Sequence, residues 1–102
     1  MKYVSLASFV ADYRRLTDPE RALFRHAVRM LNAAFARRGD QPLPHWPATL
    51  RIKPVRGAPG IFEMTWSFSG PDGRATFELI DVDGEPAIRW RRVGDHRILR
   101  EP

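Results

Sequence analysis

Gly60-Ile61-Phe62-Glu63-Met64-Thr65-Trp66-Ser67-Phe68 alternates apolar and polar side chains, and Arg74-Ala75-Thr76-Phe77-Glu78-Leu79 does the same after the turn sequence Ser69-Gly70-Pro71-Asp72-Gly73. A period of two puts Phe62, Met64, Trp66 and Phe68 on one side of a strand, and Ala75, Phe77 and Leu79 on one side of the next. Two such runs joined by a Gly/Pro/Asp turn predict an antiparallel hairpin with one apolar face. That face needs a cover, and the flanking sequence has to supply it.

Downstream, Asp81-Val82-Asp83-Gly84-Glu85-Pro86 reads as a turn and Ala87-Ile88-Arg89-Trp90-Arg91-Arg92-Val93 as the closing strand. Upstream, Leu50-Arg51-Ile52-Lys53 alternates ahead of the turn Gly57-Ala58-Pro59-Gly60, which makes four strands. Residues 40–49 hold three prolines and cannot continue a helix, so they predict a rigid crossing loop. Before that loop the period is helical. Ser5 to Leu16 spaces Leu6, Phe9, Val10, Tyr13 and Leu16 along one stripe, and Thr17-Asp18-Pro19-Glu20 is a capping box that opens a second helix. The second stripe is Leu23, Ala27, Met30, Leu31, Ala34 and Phe35, with Arg21, Arg25 and Arg29 on another face and Arg37-Arg38-Gly39 at the end. The expectation is one α+β domain over residues 1–102: an N-terminal helical hairpin packed on a four-stranded, mainly antiparallel sheet whose other face is free to bind. Trp66, Trp90 and Trp46 are expected in the core or sealing it.

Composition narrows the function. The 102 residues carry 43% hydrophobic and 28% charged side chains, ordinary for a soluble domain, and no apolar run approaches the roughly 18 residues of a membrane span. The N-terminal residues lack the apolar core and cleavage site of a signal peptide. With no cysteine, disulfides and thiolate metal sites are excluded, and only His26, His45 and His96 could serve a histidine site. A cytoplasmic protein without cofactor is expected. The net charge of +5 favours an anionic partner, either nucleic acid or an acidic protein. Fifteen of the seventeen basic residues are arginine, a bias that a GC-rich coding sequence also produces.

Individual residues offer chemistry. His96 follows Gly94-Asp95 at the exit of the closing strand, where an imidazole can point into a groove and Asp95 could raise its pKa. Arg74 is out of phase with Ala75 and Phe77, so it falls on the free face, where a guanidinium can clamp phosphate. Arg51, Lys53, Arg56, Arg89, Arg91 and Arg97 are further candidates for RNA contact. The plainer reading of Arg89 and Arg91 is an internal ion-pair cluster with Glu78 or with Asp81, Asp83 and Glu85.

Three stretches resemble the RelE/ParE superfamily of type II toxins. Gly60-Ile61-Phe62-Glu63-Met64 is similar to the family's Gly-x-Trp-Glu-Leu strand, Gly73-Arg74-Ala75-Thr76-Phe77 to its Gly-x-Arg-x-x-Tyr strand, and Val93-Gly94-Asp95-His96 to the closing Gly-x-His of YafQ-type members. The resemblance implies a ribosome-dependent mRNA endoribonuclease that needs no metal, in which a 2′-hydroxyl attacks the adjacent phosphate. It makes His96 the catalytic histidine, Arg74 the phosphate-binding arginine, and the partners mRNA and a small acidic antitoxin. Where RelE has two strand lysines this chain offers Glu63 and Thr65, and Ile98-Leu99-Arg100 stands where a tyrosine would follow the last strand. That departure shifts the second acid/base role to Glu63. The competing readings are a ParE-like gyrase inhibitor or a non-catalytic binding module of the same fold.

Overall fold

The computed structural model describes residues 2–67 and 73–102. Phe68, expected on a strand, and Ser69, Gly70, Pro71 and Asp72 of the expected turn lie outside the described residues. The elements are β1 (Lys2–Ser5), α1 (Ala7–Arg15), α2 (Asp18–Ala36), a 3-10 turn (Ala48–Leu50), β2 (Lys53–Pro54), β3 (Ile61–Thr65), β4 (Gly73–Val82), β5 (Glu85–Asp95) and a terminal 3-10 helix (His96–Arg100). The α+β class and the helical pair on a mostly antiparallel sheet are as expected.

Among the described residues the sheet has five strands, not four, in the order β1-β5-β4-β3-β2. The extra one is β1, which pairs in parallel with residues 87–90 of β5. Its four residues had been expected to lead into a helix from Ser5, but Ser5 belongs to the strand and α1 begins at Ala7. A strand this short, whose partner lies at the opposite end of the chain, leaves no local signature. The strand expected at residues 50–53 is also reduced. Pro47 leads into a 3-10 turn, Arg51 adopts a left-handed backbone (φ 47°), and only Lys53–Pro54 pair with β3.

Helix α2 opens as its sequence dictates. Glu20 N–H donates to Thr17 Oγ1 (3.3 Å) while Thr17 N–H donates to Glu20 Oε1 (2.8 Å), and Pro19 sits in the first turn. Its buried stripe runs Phe24, Ala27, Leu31, Ala34 and Phe35; Leu23, expected inside, is 38% exposed. Phe24 takes the place because its ring meets Phe9, Trp66 and Trp90 at once, which the neighbouring position does not reach. Opposite the helices, Met64, Trp66, Ala75, Phe77, Ile88, Trp90 and Val93 form the inward sheet face. Trp46 seals the proline loop against Phe35, Phe62 and Phe77.

Two features set the geometry of β5. Its hairpin with β4 closes through Asp83 (φ 54°) and Gly84 (φ 81°), the paired positive dihedrals of a two-residue primed turn, with Gly84 N–H donating to Asp81 Oδ1. Further along, Thr76 pairs with Arg92 and Phe77 with Trp90, so Arg91 is the extra residue of a bulge. The bulge resets the phase, and both Trp90 and Val93 face the core.

Beyond Trp90, β5 has lost β1 as a neighbour, and α1 replaces it. Leu6 N–H donates to Trp90 O (2.9 Å), Ser8 Oγ donates to Arg91 O (2.7 Å), and Val93 N–H donates to Asp12 Oδ2 (3.1 Å). A strand edge is thereby satisfied by the flank of a helix.

Candidate functional site

On the face of the sheet away from the helices, successive strands place Lys53, Glu63, Thr65, Arg74, Thr76, Glu78 and Arg89 within cross-strand reach. That face was expected to be free, but it is partly covered. The terminal 3-10 helix folds back so that Ile98, only 7% exposed, lies against Gly94, where a Cβ would come within 3.0 Å of its Cγ2. Thr65, Ser67 and Thr76 are also buried.

Charges on this face are organised in two groups. Glu63, 8% exposed, sits between Lys53 Nζ and Arg74 Nε, each 3.8 Å from its Oε1. Glu78 accepts from Arg89 Nε at 3.0 Å and from Arg91 Nη1 at 2.8 Å. The bond from Arg89 is the main reason its carboxyl lies below the usual carboxylate value, and the same bond raises Arg89. The internal ion-pair reading of Arg89 and Arg91 therefore holds for Glu78. Asp81 instead serves the hairpin turn, and Glu85 faces Arg38 at 3.9 Å.

The C-terminal tail is tied down by the bulge arginines. Arg91 Nε donates to Pro102 O (3.0 Å) and Arg92 Nη1 to Glu101 O (3.1 Å). Arg92 also donates through Nε to Asp12 Oδ2 (2.6 Å) and through Nη2 to Asp12 Oδ1 (3.3 Å), and the bond to Asp12 raises its pKa. Asp12 was not foreseen as important. Its signal was present, since a carboxylate falls inside the Phe9-Tyr13-Leu16 stripe, where only a paired charge is tolerated.

His96 opens the terminal 3-10 helix and is exposed, with no hydrogen bond or ion pair to any described residue. No hydrogen bond joins it to Asp95, although the neighbouring imidazole is the smallest of the contributions that favour the ionised Asp95 carboxyl. Asp95 caps the helix by accepting from Arg97 N–H (2.9 Å), and its two oxygens take Arg97 Nε (3.0 Å) and Nη2 (2.7 Å). The Arg97 side chain, then its backbone N–H, hold the Asp95 carboxyl at about 2. Arg74, four-fifths buried by its side chain, stands opposite Gly94, two residues before His96. Arg51 and Arg56 are exposed and lie off the sheet. His45 and His26 are exposed and remote in sequence from this group. Among the described residues no three His, Asp or Glu side chains converge where they could hold a metal ion.

Solved structures share this architecture. A chain of the RelB-RelE antitoxin-toxin complex from Methanococcus jannaschii superposes with a TM-score of 0.61 at 15% identity, over 96% of this chain and 95% of that one. A chain of the intact E. coli RelBE toxin-antitoxin complex gives 0.56 at 19% identity over 92% and 94%. The fold is RelE-like. The YoeB/ParE toxin from Agrobacterium tumefaciens extends the RelE-like likeness, with a TM-score of 0.55 at 15% identity over 94% of this chain and 99% of that one. No family model and no curated protein sequence matches the chain. Identities this low carry the RelE-like fold, and residue roles have to come from local chemistry.

Proposed function

We propose that this chain is a toxin of a toxin–antitoxin pair acting in the cytoplasm, and that it cleaves ribosome-bound mRNA by acid/base catalysis, with His96 moving the proton and Arg74 holding the scissile phosphate. The observation that carries the reading is the placement of an exposed imidazole, unbonded to any described residue, at the same end of the β4–β5 ladder as Arg74. In such a reaction the 2′-hydroxyl oxygen forms a bond to phosphorus as the 5′-oxygen leaves. One proton is taken from the attacking oxygen and one given to the departing oxygen. Imidazole suits either transfer near neutrality, and a guanidinium stabilises the pentacovalent phosphorane.

Glu63, whose Oε1 lies 3.8 Å from both Lys53 Nζ and Arg74 Nε, serves in this reading as the second acid/base group and also orients Arg74. The RNA-binding set is Lys53, Arg74 and the exposed Arg51, Arg56 and Arg97, with Arg89 and Arg91 contributing through the face they shape. The Gly94-Asp95-His96 likeness to YafQ-type members supports the role of His96. Two of the structural relatives are antitoxin–toxin complexes, and the +5 charge suits an acidic antitoxin as partner.

A second reading has an observation in its favour. Arg89, Arg91, Arg92 and Arg97 all have carboxylate partners within the chain, as a toxin that inhibits gyrase without cutting RNA would permit. Mapping of RNA 5′ ends after induction separates the two. Cleavage should appear with the wild type, fall by about 10²–10⁴-fold in His96→Ala, and drop in Arg74→Ala. Cleavage unchanged in His96→Ala removes this mechanism, and growth arrest with intact RNA favours the gyrase reading.

A further inference from the structure

The segment that carries His96 is tied at both ends. At its entry, Ser8 Oγ donates to Arg91 O (2.7 Å) and Asp12 Oδ2 accepts from Val93 N–H (3.1 Å), so α1 grips β5 just before the strand gives way to the terminal 3-10 helix. At its exit, Arg91 Nε donates to Pro102 O (3.0 Å) and Arg92 Nη1 to Glu101 O (3.1 Å). Residues 93–100 therefore form a loop closed at its base by two guanidinium groups. Adjacent residues of a regular strand point to opposite faces, and the bulge at Arg91 lifts that rule: both side chains reach the same stretch, 101–102.

Each arginine is held from behind by a carboxylate on a different element. Arg92 donates through Nε and Nη2 to Asp12 of α1, at 2.6 and 3.3 Å, and Arg91 donates through Nη1 to Glu78 of β4, at 2.8 Å. Partly buried and already neutralised, such guanidinium groups are better suited to bridging fixed oxygens than to meeting a phosphate. The loop needs the ties. A 3-10 helix has poor internal hydrogen-bond geometry, and Ile98 is the buried residue of this one. His96 makes no hydrogen bond to a described residue, so no polar contact of its own fixes its place. Gly94, opposite Arg74, sets one side of the loop, and the tied residues 101–102 set the other.

We infer that Arg91 and Arg92, backed by Glu78 and Asp12, are positioning residues that hold the His96 segment in register with Arg74 and do not themselves touch RNA. The inference rests on the acid/base reading of His96. It gives the bulge of β5 a task in the reaction, since a catalytic group displaced by about 1 Å loses much of its effect.

The test follows kinetics and backbone motion in the full chain. Lysine keeps the positive charge but cannot bridge two oxygens with a planar fork, so Arg91→Lys and Arg92→Lys separate charge from geometry. Asp12→Asn removes a negative charge, which would only help an arginine that contacts phosphate directly. For cleavage of an mRNA on programmed ribosomes, kcat should fall by about ten- to a hundredfold in Arg92→Lys and in the same direction in Arg91→Lys and Asp12→Asn, with KM within about twofold. In a His96→Ala background Arg92→Lys should cost nothing further, because the loop then carries no imidazole to misplace. Order parameters from ¹⁵N relaxation should drop from about 0.85 toward 0.6 at the amides of residues 96–100 and stay unchanged in α2 and β4. Melting curves check the fold, and Arg91→Lys, which leaves Glu78 its bond from Arg89, carries the test if Arg92→Lys does not fold. A raised KM at unchanged kcat, a further loss in the His96→Ala background, or unaltered order at residues 96–100 would each overturn the inference. An mRNA left intact by the wild type would sink the cleavage reading and this role together, whereas wild-type cleavage that persists in variants with a loosened segment would sink this role alone.

Discussion

The carboxyl of Asp95 titrates at about 2 instead of its ordinary 3.8, chiefly because the Arg97 side chain and backbone N–H both bond its ionised form. A folded-state value below the unfolded one means that this contribution to stability is complete above about pH 4 and is lost as the pH falls toward 2. In Arg97→Ala, the Asp95 midpoint followed by carbon NMR should return toward 3.8; a midpoint that stays near 2 would assign the effect to another group. Thr76 behaves oppositely, because its buried Oγ1 has no hydrogen-bond partner among the described residues. Thr76→Val should accordingly raise stability by about 1 kcal/mol in urea unfolding, and a loss of that size would reveal a hidden partner. Residue roles were only partly legible in the sequence. The alternation that put Arg74 and Glu63 on one face is a local property, but which carboxylate neutralises which arginine depends on pairing between strands. The Asp95–Arg97 bond, two residues apart, was set by a cap that periodicity does not encode.

Elements whose signals are local were read correctly. The capping box fixed the start of α2, and the Asp83-Gly84 pair fixed the β4–β5 turn. Those depending on distant partners were missed. Strand β1 exists because β5 offers it an edge, and the bulge at Arg91 exists because Val93 has to return to the core. Helix α1 shows the same dependence through Asp12, which holds Arg92 and the Val93 amide from a position 7% exposed. Removing that carboxylate in Asp12→Ala leaves a partly buried guanidinium and an unsatisfied N–H, and should lower stability by about 2–4 kcal/mol in urea unfolding. Gly73→Ala should disturb the β3–β4 end of the sheet, since the new Cβ would come within 2.4 Å of the Trp66 ring, at about 1–3 kcal/mol. A stability unchanged in either variant would show that the local backbone shifts freely.

Across the whole molecule, arginine–carboxylate pairs tie α1, the sheet and the tail together: Asp12–Arg92, Glu63–Arg74 and Glu78 with Arg89 and Arg91. Glu78 lies below its ordinary 4.5 and Asp95 at about 2 against 3.8, so both stabilise the folded state above those ordinary values and cease to as acid protonates them. Stability measured by thermal melts should be flat above about pH 5 and decline from about 4.5 downward, whereas a profile level to pH 2 would show these pairs to be energetically silent. The parallel pairing of Lys2–Ser5 with residues 87–90 has a separate implication for folding. Among the described residues, the first strand of the sequence pairs in the sheet with the last, β5. The contact between them spans every intervening element, the kind that forms late and slowly, so the β3–β4 and β4–β5 hairpins can assemble while Tyr3 and Val4 are still unpaired.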